Sequence, residues 1–85
     1  MYEKSKSINI WIDRNSHCII NDKVVKKSNH LSDMLNDFKK ELKCNVVYLY
    51  IDRNCKMDFP QLVINEINKI GFRKIVFIFY QFFVN

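Results

Sequence analysis

The sequence predicts an α+β fold with the element order β-β-α-β-α-β, its two helices packed on one face of a mixed β-sheet. Three observations predict it. Val46–Ile51 and Lys74–Phe79 are short runs of β-branched and aromatic residues, the composition of buried strands. Between them a helical pattern opens at Asp58 and closes at Gly71, and strand, helix and strand in succession set two parallel strands side by side. Upstream, Ser7–Asp13 alternates apolar with polar residues, whereas Leu31–Leu42 repeats its apolar residues at helical spacing.

The elements follow in order. Residues 1–6 are polar and form a flexible N-terminal segment; residues 7–80 form the domain; residues 81–85 form an apolar tail suited to pairing with a partner chain. In the first strand Ile8, Ile10 and Ile12 point one way. Asn9, Trp11 and Asp13 point the other, so Trp11 is either a contact residue or packs under a neighbouring element. Asp13-Arg14-Asn15-Ser16 is turn chemistry, and His17–Ile20 returns as a strand. Asn21-Asp22 fits a two-residue hairpin turn because both residues tolerate positive φ, and Lys23-Val24-Val25 is the short outgoing piece.

A first helix is expected over about residues 29–43, with Ser28 as its N-cap and Leu31, Met34, Leu35, Phe38 and Leu42 as its apolar stripe. The second is expected to start with Asp58 capping, Gln61 completing a capping box and Pro60 inside the first turn, and to end on a left-handed Gly71. The last strand is apolar on both faces: Ile75, Phe77 and Phe79 on one, Val76, Ile78 and Tyr80 on the other. A strand of that kind wants cover on both sides, and two helices can supply only one. Its surplus apolar surface therefore implies a sticky edge or a partner chain.

Composition narrows the function. With 85 residues, 48% apolar and a net charge of +5, the chain is one small globular domain with a general preference for acidic partners. The basic residues are spread out and form no binding tail. A single glycine excludes a phosphate-cradling loop, and neither histidine stands at ligand spacing from the three cysteines, so no metal or cofactor is expected. Cys18, Cys44 and Cys55 are expected to be free thiols; Cys44 and Cys55 flank a strand too long for a disulfide to span. Ile-Asp-Arg-Asn occurs twice, at 12–15 and 51–54. Asp13 and Asp52 would meet as a carboxylate pair only if their strands were parallel neighbours; the plainer reading is that both stop strands and start turns. No constellation supports an enzyme. The alternative from another class is a small basic RNA-binding α+β domain, with Tyr48 and Tyr50 as stacking residues, although no nucleic-acid signature is present.

The ordered set of local patterns resembles the periplasmic domain of the ExbD/TolR family, the small subunits of proton-driven biopolymer-transport motors. It is carried by Ile8-Asn9-Ile10-Trp11-Ile12-Asp13, Ile20-Asn21-Asp22-Lys23-Val24-Val25, Leu49-Tyr50-Ile51-Asp52-Arg53, Leu62-Val63-Ile64-Asn65-Glu66-Ile67 and Ile70-Gly71-Phe72-Arg73-Lys74-Ile75, with a 19-residue step from Asp52 to Gly71. The resemblance implies two helices on one face of a mixed sheet. It implies a periplasmic domain anchored in the inner membrane by an N-terminal helix absent from this chain, beside an ExbB- or TolQ-like channel subunit. The domain would relay energy to a TonB- or TolA-like protein, contact peptidoglycan in TolR-like members, and pair as a homodimer through the C-terminal strand. The residues expected to touch partners are Val76, Ile78 and Tyr80, with Trp11 and the loop from Asp52 to Met57 after them.

Overall fold

A computed structural model of the chain describes residues 7–26, 30–42 and 45–81. The chain runs β1 (Ile8–Ile12), β2 (Cys18–Ile20), β3 (Lys23–Val25), α1 (Leu31–Leu42), β4 (Val46–Asp52), α2 (Asp58–Ile70) and β5 (Lys74–Tyr80). The strands form one mixed sheet in the order β3-β2-β1-β4-β5. β1, β4 and β5 are parallel, while β2 and β3 continue the sheet antiparallel on the other side of β1.

The alternation in the sequence decides which face is covered. Ile8, Ile10, Ile12, Cys18, Ile20, Val47, Leu49 and Ile51 are buried on one side, against Leu31 and Leu35 of α1 and Val63 and Ile67 of α2. Both helices therefore lie on that side, packed against each other, and the expected α+β architecture holds. The opposite face has no helix over it among the described residues.

Local chemistry explains the connections. Asn21 and Asp22 both take positive φ, at 45° and 71°, as the hairpin turn between β2 and β3 requires. The Asn21 side chain then locks that turn to β1, accepting from the Asn9 amide at 2.8 Å and donating to the Ser7 carbonyl at 3.3 Å. Gly71 closes α2 at φ 91°, its amide donating to Ile67 O at 3.3 Å. From α1, Lys39 Nζ reaches the Ile70 and Gly71 carbonyls at 3.2 Å each, so one ammonium satisfies the end of the other helix.

Three details differ from the expectations. Lys23–Val25 is a full edge strand, so the order is β-β-β-α-β-α-β. The start of α2 carries no side-chain cap: Met57 is the cap residue, already helical at φ −73°, and Gln61 bonds its backbone amide to Met57 O and its side chain to Asn65. Asp58 instead sits in the first turn, where its charge suits the helix dipole. α1 spans Leu31–Leu42, and the expected Ser28 cap lies outside the described residues, as do residues 1–6, Cys44 and the apolar residues Phe82, Phe83 and Val84. No helix among the described residues is long and apolar enough to cross a membrane.

Candidate interaction surface

The duplicated Ile-Asp-Arg-Asn folds the same way twice. β1 and β4 are adjacent and parallel, with Ile12 opposite Ile51, so the two copies end side by side. In the first, Asp13 Oδ1 accepts from the Asn15 amide at 2.9 Å and Asp13 O from the Ser16 amide at 3.1 Å. In the second, Asp52 Oδ1 accepts from the Asn54 amide at 2.8 Å and Asp52 O from the Cys55 amide at 2.9 Å. Each aspartate thus bends its own backbone two and three residues on, which is turn chemistry.

The two carboxylates differ in surroundings. Asp13 lies in the exposed β1–β2 loop, where its oxygens also take the His17 amide at 2.8 Å and His17 Nδ1 at 3.0 Å. Burial pushes its carboxyl upward, but the hydrogen bonds and charge from His17 and the Asn15 amide outweigh that and hold it below the ordinary value. Asp52 is 2% exposed, with Arg14 Nε 3.5 Å from its second oxygen. Because Asp13 has a depressed carboxyl in the fold, it stabilises above its unfolded-state value and loses that contribution as pH falls through the folded one. The melting temperature of Asp13→Asn is accordingly expected to lie below that of the parent chain at neutral pH and to converge with it in acid. A gap independent of pH in a thermal melt would remove the charge of Asp13 from the account.

The thiols nearby are inert by environment. Burial pushes Cys18 up to about 12. Burial, together with the carboxylates of Asp52 and Asp13, raises Cys55 against a hydrogen bond from Ser16. Both thiols therefore stay protonated near neutrality, unlike a nucleophilic thiolate. Both are free, and Cys44 lies outside the described residues. Among the described residues no cluster of three or more His, Cys, Asp or Glu could hold a metal ion.

Beside these turns the uncovered face of the sheet carries an aromatic group. Trp11, 43% exposed, stacks on Tyr50 with ring centroids 4.0 Å apart and planes 5° from parallel, and Tyr80 meets it edge-on at 5.4 Å. The Tyr80 hydroxyl crosses the end of β4 to donate to Ile12 O at 3.1 Å. Tyr50 donates to Asn9 Oδ1 at 3.4 Å. Trp11 is thus packed by two aromatic neighbours while part of its surface stays exposed. Register places Val76, Ile78 and Tyr80 on this same face, each partly exposed. Of the other expected contact residues, Asp52 is drawn inward to hold its turn, and Met57 stands apart at the start of α2, half exposed.

The exposed apolar residues that sequence reasoning did not single out are Phe77 and Phe79, at 47% and 49% exposure. They share the helix-bearing face with Leu49 and Ile51, their register partners. Only Ile75 of that row packs onto the core. β5 is the last strand of the sheet, and α2 spends its buried residues, Pro60, Val63 and Ile67, inboard of it. The two apolar faces of β5 were legible, and their surplus pointed to a sticky edge or a partner chain; which side chains the helices would leave bare was not legible. No model of a known protein family matches the chain, and no curated protein matches it either.

Proposed function

We propose that this chain is a non-catalytic, force-transmitting interaction domain of the ExbD/TolR type, working by pairing β5 with another chain. One observation carries the reading. β5 is an edge strand whose two faces expose Phe77 and Phe79 on one side and Val76, Ile78 and Tyr80 on the other, the profile of a strand that expects a neighbour. Two helices on one face of a mixed sheet, the Asn21-Asp22 hairpin and the left-handed Gly71 support the family resemblance. On this reading the domain is periplasmic and held at the inner membrane by a preceding helix. It pairs as a homodimer beside an ExbB- or TolQ-like channel and passes energy to a TonB- or TolA-like protein, with peptidoglycan carboxylates suiting its net charge of +5. The RNA-binding alternative draws less support: Trp11 and Tyr50 already stack on each other, which takes up one face of each ring, and the sequence carries no nucleic-acid signature.

Replacing Ile78 with Lys sets a charge into the open face of the edge strand, the device by which natural sheets block pairing. Self-association is expected to weaken at least tenfold in sedimentation, while circular dichroism and the melting curve report a folded monomer. An unchanged dimer would place the interface elsewhere.

A further inference from the structure

Backbone hydrogen bonds show which groups of β5 remain available. The Lys74 amide donates to Asn45 O at 3.1 Å, and Tyr80 O accepts from the Arg53 amide at 2.8 Å. In a strand the N–H and C=O of one residue point to the same side, and successive residues alternate. Lys74, Val76, Ile78 and Tyr80 therefore bond to β4, and Ile75, Phe77 and Phe79 direct their N–H and C=O outward.

We propose that β5 pairs with β5 of a second copy, antiparallel, in the register that sets Phe77 opposite Phe77 across a two-fold axis. This rests on the self-pairing reading above and names its geometry. A parallel ladder needs each outward-facing residue to lie opposite one that faces away, which two identical strands in register cannot satisfy. An antiparallel ladder joins outward-facing residues to each other. Several such registers exist, but only the one centred on Phe77 aligns Lys74–Tyr80 along its whole length and closes three hydrogen-bonded pairs, Phe77 with Phe77 and Ile75 with Phe79 twice.

Side chains and charge favour the same register. On the helix-bearing face it lays the two half-exposed Phe77 rings side by side and each Phe79 against an Ile75, covering the surface α2 leaves bare. On the open face Val76 meets Ile78, and Lys74 meets Tyr80, which sets an ammonium beside an aromatic ring. The two Lys74 residues end roughly 20 Å apart at about 3.4 Å per residue, beyond the screening length of physiological salt. The two-fold axis also closes the assembly at two copies and covers the β5 edge of each, leaving the short β3 strands as the outer edges.

One added cysteine per variant reports the register, read against the chain's own Cys18, Cys44 and Cys55. Facing residues of a hydrogen-bonded antiparallel pair stand about 5.5 Å apart at Cα, within disulfide reach; Val76 to Val76 or Ile78 to Ile78 would be about 8 Å, beyond it. Under mild oxidation Phe77→Cys is expected to convert to covalent dimer at least tenfold further than the parent chain, with Val76→Cys and Ile78→Cys at the parent level. As an independent check, Ile75→Cys mixed with Phe79→Cys should give the mixed dimer in preference to either self-dimer. A dominant crosslink from Val76→Cys or Ile78→Cys would overturn this register and leave self-pairing through β5 intact. A chain that sediments as a folded monomer at all concentrations, with no crosslink from any variant, would overturn both and point to a foreign strand at this edge.

Discussion

Leu49→Ala is expected to cost about 2–5 kcal/mol and to lower the melting temperature by on the order of 10–30 °C. Leu49 is fully buried in β4, the strand flanked by β1 and β5, and lies against the core that both helices cover. Truncation there removes apolar contacts and leaves a cavity that a strand held on both edges cannot collapse to fill. A domain this short is stable by roughly 4–13 kcal/mol at about 0.05–0.15 per residue, so the substitution consumes a large share of the total. Phe38→Ala is the useful contrast. The helical pattern assigns Phe38 to the buried stripe, but it is only partly buried, with Lys23 Nζ 5.5 Å from the ring centroid, and its loss should be the milder. Thermal melts of both variants decide the matter: equal shifts would mean that the centre of the sheet is no more tightly packed than the rim of α1.

The second large effect concerns the repeated turn. Asp52→Ala is expected to destabilise by about 2–3 kcal/mol, because it removes the buried carboxylate that holds the Asn54 amide and that pairs with Arg14. Asp13→Ala, in the exposed copy of the same turn, should cost less, since water can replace what is lost. Asp52→Asn keeps an oxygen for the amide while discarding the charge, so its midpoint in urea should fall between those of the parent and Asp52→Ala. Equal costs at the two turns would mean that the burial of Asp52 is energetically unimportant.

These contrasts mark what one-dimensional reading can and cannot reach. Alternation in Ser7–Asp13 carries a period-2 signal strong enough to assign a strand and its faces, and the runs at 46–51 and 74–79 are β-branched and aromatic enough to assign strands; the face containing Ile8, Ile10, Ile12 and Leu49 is the buried one. Asn21-Asp22 and Gly71 were equally legible, since few residues accept positive φ. Strand order is different. That β4 inserts between β1 and β5, and so brings the two Ile-Asp-Arg-Asn copies together, depends on contacts far apart in the chain. The same long-range choice decides that Phe77 and Phe79 lie bare at a rim and that Asp52 is hidden, distinctions no local pattern encodes. The capping-box expectation failed for a local reason: Met57 is already helical, so the helix had begun before Asp58 could cap it.

The bond from the Tyr80 hydroxyl to Ile12 O joins the outermost parallel strand to the first by a strut over the strand between them. Pulled at the start of β1 and at the end of β5, such a sheet is loaded along its strands, so the ladders on both sides of β4 must shear as whole rows before any of them parts. Peeling β5 away sideways breaks its rungs one after another. The molecule should accordingly bear tension along one axis and yield readily across it.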